Sequence, residues 1–325
     1  MRRSLAIGLI GVGRHGKRYA RHLADGVRGA SLAAISRRNE EIGRRQAARL
    51  GCAYHRDWGN LIADPAVEAV CLTVPPGLHL PIARAVARAG KPLLVEKPLA
   101  TTTRAAGAIC DTFNLRGLTL MVAHTLRYNP AIRTLKARLA AIGPPQAIHA
   151  AMRQEPLPQT WKSDPTLAGG GCLLQIGVHL FDAVRYLTGE EVSRVWCQTR
   201  RVKNPLFEDV ASAVLTLRGS GILCSLEASK VSGGRTGVLT VVGERGQLVA
   251  DFLQGTLTKV MGRSIRPLAV RGPSQTIVAV LEDFSRAVRN RRPPPVSGED
   301  GLRAVRIARA CVRSAAEGRP IRLRA

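Results

Sequence analysis

The 325-residue chain carries 49 Lys and Arg against 23 Asp and Glu, a formal charge of 49 − 23 = +26, with 45% apolar and only 4% aromatic residues. That length allows two domains with a full core each. The scarcity of aromatics argues against a stacking platform for single-stranded nucleic acid, and the arginines are dispersed rather than grouped in blocks, so the charge is read as solvated surface and nucleic acid is not expected as a partner.

In chain order, Ala6 to Ile10 reads as a buried strand that enters the turn Gly11-Val12-Gly13-Arg14-His15-Gly16, and Lys17 to Leu23 as a helix. Ser31 to Ser36 is predicted as a strand, Asn39 to Leu50 as a helix capped by Asn39, Cys52 to Tyr54 as a short strand and Trp58 to Ala63 as a helix ended by Asp64-Pro65. Glu68 to Val74 is an apolar strand stopped by Pro75-Pro76, followed by a periodic helix from Leu78 to Ala89. Strand Leu93 to Glu96, helix Ala105 to Phe113 and strand Leu118 to Ala123 complete the series. Strands alternating with helices predict a doubly wound parallel sheet, the Rossmann type, with binding at the carboxyl ends of the strands.

Near Arg127 the pattern changes, which divides the chain into residues 1–125 and 126–325. A linking helix, Ala131 to Ile142, ends at Gly143-Pro144-Pro145. Ala147 to Arg153, a glycine-rich loop and a helix from Cys172 to Leu187 follow. Strands are then predicted at Val192 to Arg200, Val210 to Leu217, Ile222 to Ala228, Val238 to Val242, Gln247 to Phe252 and Thr256 to Val260. Consecutive strands with tight turns predict an α+β second domain built on a large, open, mostly antiparallel sheet whose uncovered face needs a partner. Two helices, Ile277 to Arg289 and Gly301 to Ala316, close the chain and are placed so that they can pack back on the first domain. No apolar run approaches the roughly 20 residues of a membrane span, and the run after Arg2-Arg3 is too short for a secretion signal. The seven cysteines form no C-x-x-C pair. The chain is therefore read as cytoplasmic, with reduced thiols, no metal and no membrane partner.

The glycine turn carries the first functional reading. Gly11 suits the tight turn, Gly13 lets backbone approach a pyrophosphate, and Gly16 lets helix and strand pack closely. The helix start offers unpaired N–H groups to phosphate oxygens. Ser36-Arg37-Arg38 ends the second strand, where an NAD-selective site places a carboxylate; a hydroxyl and two guanidiniums suit a 2′-phosphate instead, so NADP is favoured over NAD.

On Gly11-Val12-Gly13-Arg14-His15-Gly16, Pro75-Pro76-Gly77-Leu78-His79, Glu96-Lys97-Pro98, Gly169-Gly170-Gly171 continuing to Gly177-Val178-His179, and Pro295-Val296-Ser297-Gly298-Glu299-Asp300-Gly301, the chain resembles the Gfo/Idh/MocA oxidoreductases over nearly its whole length. The resemblance implies dimers or tetramers formed through the C-terminal sheet. It implies Lys97 as catalytic lysine, Glu96 near the nicotinamide ribose, Pro75 and His79 beside the cofactor, and a cis Lys97–Pro98 bond. It implies His179 as catalytic histidine and puts Gln175 where many members have Asp; glutamine positions a hydroxyl but takes no proton. Val74 stands where Thr is common. Asp182, three residues beyond His179, is a carboxylate that can orient it. Arg127, Tyr128 and Trp161 are candidate substrate contacts. The expected activity is hydride transfer to or from a carbinol or carbonyl carbon of a sugar, cyclitol or related small molecule. A cofactor-binding regulator without turnover, and an NAD-dependent glycosidase-type enzyme, are the alternatives.

Overall fold

A computed structural model describes residues 4–156, 160–272 and 275–324. Two compact units emerge: Met1–His124 with Gln275–Leu302, and Thr125–Ser274 with Arg303–Ala325.

The first unit runs β1 (Leu5–Ile10), α1 (Gly16–Asp25), β2 (Ala30–Ser36), α2 (Glu40–Leu50), β3 (Ala53–His55), α3 (Trp58–Ala63), β4 (Ala69–Leu72), α4 (His79–Arg88), β5 (Leu93–Val95), α5 (Thr103–Asn114) and β6 (Leu120–Val122). Every neighbouring pair is parallel, in the order β3-β2-β1-β4-β5-β6. β4, β5 and β6 are buried at every position, as a sheet covered on both faces requires. Helix starts follow local chemistry: Asn39 accepts from the Ile42 N–H at 2.9 Å, and Asp57 and Thr102 cap α3 and α5. The strand order reverses between β1 and β4, so the segments leaving their carboxyl ends frame the crevice where such sheets bind ligands.

The second unit contains α6 (Pro130–Arg138), β7 (Pro145–Arg153), α7 (Pro165–Ala168), α8 (Val178–Thr188), β8 (Val192–Arg200), β9 (Val210–Leu217), β10 (Leu223–Ser229), β11 (Thr236–Gly243), β12 (Gly246–Asp251), β13 (Thr256–Met261), β14 (Ser264–Leu268) and, after the remaining helices, β15 (Ile321–Arg322). Among the described residues its nine strands are ordered β14-β13-β12-β11-β7-β10-β9-β8-β15, antiparallel throughout except for the parallel β7–β10 pair. Both parts of the expected fold class are therefore present. Burial alternates along β8 and β9 and through most of β10, leaving Trp196, Val214 and Leu223 on the uncovered face.

Several boundaries differ from the pattern reading. The linking helix stops at Arg138 and continues only as a 3-10 turn to Ile142. The helix read from Cys172 begins as a π-turn, Leu173–Gly177, before α8. β14 and β15 escaped notice because one has no buried position and the other is two residues long. The expectation that no apolar run reaches membrane-span length is corrected as well: the helical stretch Pro165–Thr188 does so by length and composition. Its most apolar window is 83% buried, and nine α8 residues are buried, so it is apolar all round because protein surrounds it.

The chain returns to the first unit through α9 (Thr276–Arg289), and α10 (Gly298–Glu317) contributes its first residues there. Phe284 of α9 is fully buried, Ser285 donates to the Gly29 carbonyl, and Ser297 forms an antiparallel bridge with Met121 beside β6. Phe284→Ala is therefore expected to cost the first unit about 3–5 kcal/mol, measured by denaturant unfolding; a loss below about 1 kcal/mol would mean that α9 is peripheral.

Candidate active site

In the first unit the glycine turn leaves β1 and is braced from the ends of β2 and β4. Gly11 has φ +98°, its N–H donates to the Ser36 carbonyl at 3.1 Å, and its own carbonyl accepts from Thr73 Oγ1 at 2.6 Å. A Cβ on Gly16 would lie 2.0 Å from the Gly11 oxygen, which makes the close packing of α1 on the turn conditional on glycine. Val12 is buried, and its carbonyl accepts from Arg37 Nη1 at 2.5 Å. Gly13, Arg14 and His15 are exposed.

A diphosphate fits this turn on three grounds. Among the described residues, nothing beyond its own chain neighbours comes within 4 Å of where a Gly13 Cβ would stand. The start of α1 has no side-chain cap. Among the described residues, Arg37 Nε is buried without a hydrogen-bond partner beside the turn. Ser36 is buried and Arg38 exposed, so no carboxylate ends β2.

At the ends of β4 and β5, His79 bridges two loops: Nδ1 lies 3.1 Å from the Leu99 carbonyl and Nε2 lies 3.0 Å from the Val74 carbonyl. Burial lowers its pKa, and the carbonyls pull the other way. His79 thus ties the Val74-Pro75 turn to the segment carrying Lys97, and Pro75 sits half-buried in that turn. The Lys97–Pro98 bond is cis.

Glu96 is the hub. It is 8% exposed; Oε1 accepts from Tyr19 Oη at 2.6 Å and from His15 Nε2 at 2.7 Å, and Oε2 accepts from the Lys97 N–H at 3.1 Å. Burial pushes its pKa up, but the charges of His15 and Lys97 and the donors His15 and Tyr19 outweigh it, holding the carboxyl at about 2. Lys97 is half-buried; desolvation lowers its pKa and Glu96 raises it in part. Tyr19 is fully buried and its phenol pKa is raised, by burial first and then by Glu96, so it remains a donor.

In the second unit His179 lies in the first turn of α8 and is 9% exposed. Gln175 lies in the π-turn and accepts from Lys230 Nζ at Oε1 while donating through Nε2 to the Gly170 carbonyl at 2.9 Å. Asp182 is fully buried and accepts a two-pronged contact from Arg127, at 2.8 and 2.7 Å. Arg127 also lies 5.5 Å from the Tyr186 ring centre, so its guanidinium is built into the helix packing. Tyr128 is buried, whereas Trp161 is half-buried with the Lys162 ammonium 5.6 Å from its ring centre.

The predicted residues therefore gather as two sets. Gly11 to Gly16, Ser36 to Arg38, Val74, Pro75, His79, Glu96 and Lys97 lie along the carboxyl edge of the parallel sheet. Arg127, Tyr128, Trp161, Gln175 and His179 belong to the second unit. Sequence reasoning missed Tyr19, Thr73 and Lys230. Tyr19, three residues past Gly16, had helical periodicity as a signal; Lys230, 55 residues from Gln175, had none.

A parallel sheet whose first strand runs into an open glycine turn, together with a large antiparallel sheet in the second unit, defines a dinucleotide-dependent enzyme. The family model described as "Oxidoreductase family, NAD-binding Rossmann fold" matches residues 5–124, and the GFO/IDH/MocA C-terminal domain matches residues 132–249. The chain belongs to the Gfo/Idh/MocA family and is an NAD(P)-dependent oxidoreductase. It is 30% identical to myo-inositol 2-dehydrogenase of Thermotoga maritima, over 98% of each chain. Among solved structures it is similar to aldose-aldose oxidoreductase from Caulobacter crescentus complexed with glycerol (TM-score 0.89, 26% identity, 99% of this chain and 100% of that one). It is also similar to levoglucosan dehydrogenase in complex with NADH and levoglucosan (TM-score 0.91, 25% identity, 99% and 100% covered).

The Glu96 carboxyl has a folded pKa below its ordinary 4.5, so its stabilisation is complete above about pH 4.5 and fades as pH falls toward 2. Glu96→Gln is expected to lose about 3 kcal/mol at pH 6, read by urea unfolding, with the gap to wild type closing through the acid range. A gap that does not change with pH would refute the charged-hub account.

Proposed function

We propose that the protein is an NADP(H)-dependent oxidoreductase that moves hydride to or from a carbinol or carbonyl carbon of a sugar, cyclitol, sugar derivative or related small molecule, with Lys97 and His179 as the acid/base pair. The observation that carries this reading is Lys97: a lysine with a lowered pKa, next in sequence to a carboxylate tied to the dinucleotide turn. Desolvation brings its ammonium closer to proton exchange near neutral pH. The sugar and cyclitol class is supported by relatives named for myo-inositol and levoglucosan.

The turn Gly11 to Gly16 would hold the diphosphate, and Ser36, Arg37 and Arg38 the 2′-phosphate of NADP. Val74, Pro75, His79 and Glu96 would wall the nicotinamide side. The nicotinamide, when bound, supplies the hydride acceptor or donor. Lys97 Nζ takes or returns the hydroxyl proton, His179 shares the substrate oxygen, and Gln175, Arg127, Tyr128 and Trp161 shape the substrate side. NADP is preferred because both residues after Ser36 are guanidiniums.

We also place a second copy of the chain on the uncovered sheet face, giving a homodimer or homotetramer. A groove of about 450 Å³ there includes Trp196, Gln198, Val214 and Glu227, and Trp196 is 50% exposed. The seven free cysteines, six of them buried, suit the reducing cytoplasm.

Lys97→Ala is expected to lower kcat by about 10²–10⁴-fold while NADPH affinity stays within about threefold, measured by steady-state kinetics and fluorescence titration. A collapse of NADPH affinity instead would make Lys97 a cofactor anchor. Arg38→Ala is expected to weaken NADP binding about tenfold and leave NAD binding unchanged; equal losses for both would remove the 2′-phosphate assignment. Net-neutral cleavage of a glycoside with retained cofactor would favour the glycosidase-type reading.

A further inference from the structure

We propose that Lys230 is a positioning residue of the active site, acting through Gln175 on the turn that leads into His179; the proposal rests on the role given to His179 above. Lys230 directly follows β10, and its backbone N–H donates to the Asp209 carbonyl at 2.7 Å. Its ammonium donates to Gln175 Oε1. An ammonium only donates, so it fixes which end of the amide faces it and sends the NH2 group the other way. That group donates to the Gly170 carbonyl at 2.9 Å. A continuous chain thus runs from the end of a sheet strand, through one side chain of the π-turn, to the glycine loop. The first link is charge-assisted, and its polarisation of the amide strengthens the second.

The loop at the far end is already fixed on both sides of Gly170. The Gly169 carbonyl accepts from Arg309 Nη2 at 2.6 Å. A Cβ on Gly171 would stand 1.8 Å from the Glu208 oxygen, and the Cys172 N–H donates to that same carbonyl at 2.8 Å. Gln175 therefore ties the π-turn to a loop that is held on both sides of Gly170, and Lys230 sets the direction of the tie. π-helical turns are rare, occur mostly as single turns within α-helices and are frequent at functional sites. His179 lies two residues beyond this one. Displacements of about 1 Å in a reacting group can cost about 100-fold in rate, so Lys230 acts on catalysis through Gln175 and the turn before His179 rather than by touching substrate.

Three variants separate the links. Lys230→Met removes the ammonium and keeps the Gly170 link; Gln175→Glu keeps the Lys230 contact and sets a carboxylate oxygen against the Gly170 carbonyl; Lys230→Arg keeps a donor. With the sugar found by an NADP-coupled screen, the first two are expected to lower kcat about 10–100-fold with KM within about threefold. The Lys230→Met, Gln175→Glu double variant is expected to be no slower than the slower single, because both break one chain, and Lys230→Arg to recover most of the rate. In the cofactor-free protein, hydrogen exchange across residues 169–179 is expected to quicken in Lys230→Met while the melting of the whole protein shifts little. A raised KM at unchanged kcat would show that Lys230 meets the substrate itself and would overturn the proposal, as would additive losses or unchanged exchange. If the wild type turns over no sugar or cyclitol, the oxidoreductase substrate reading falls, and the exchange measurement still decides the tie.

Discussion

The first unit depends on one buried carboxylate. Glu96 stands at the end of a strand where burial raises its pKa, and it is held at about 2 because the charges and donors of His15, Tyr19 and Lys97 converge on it. Each of those donors comes from a different part of the prospective site: the glycine turn, the inward face of α1, and the segment with the candidate catalytic lysine. A single charge therefore holds the glycine turn and the candidate catalytic lysine in register. Its desolvation cost is offset by the same contacts that give the site its shape.

His79 and Thr73 serve the same end with neutral groups. His79 joins the Val74-Pro75 turn to Leu99, and the Thr73 hydroxyl closes on the Gly11 carbonyl. The second unit follows the same rule with other chemistry. Asp182 has its charge matched by Arg127, with Arg185 3.7 Å away, and Gln175 is held between Lys230 and Gly170. Buried polar groups that close on one another are rigid, and rigidity is what a site needs that must align a hydride donor and acceptor.

Much of this was legible in the chain. The helix caps, the alternation of strand and helix, and the Gly-x-Gly-x-x-Gly turn were readable because each is local: a side chain three residues from its partner, or a period set by one helix. The predicted cofactor-side residues fall on the carboxyl edge of the parallel sheet for the same reason, since strand ends are marked by where apolar runs stop. What escaped was non-local or had no period. Lys230 and Gln175 are 55 residues apart, Tyr19 and Glu96 are 77 apart, and β14 has no buried face to leave an alternating trace. The π-turn was read as ordinary helix because one extra residue per turn hardly disturbs an apolar run that is buried on every side.

The class of sheet in each half of the chain, the Gly-x-Gly-x-x-Gly turn after the first strand and the placing of Glu96 and Lys97 at a strand end could be read from the residues alone, because those follow from local conformation and hydrophobic period. Only the tertiary structure decided that Glu96 is tied to His15 and Tyr19, that Arg127 is bound to Asp182, and that the Gln175 amide is held at both ends. Those outcomes depend on which distant groups folding brings within hydrogen-bond reach, and no spacing along the chain encodes that.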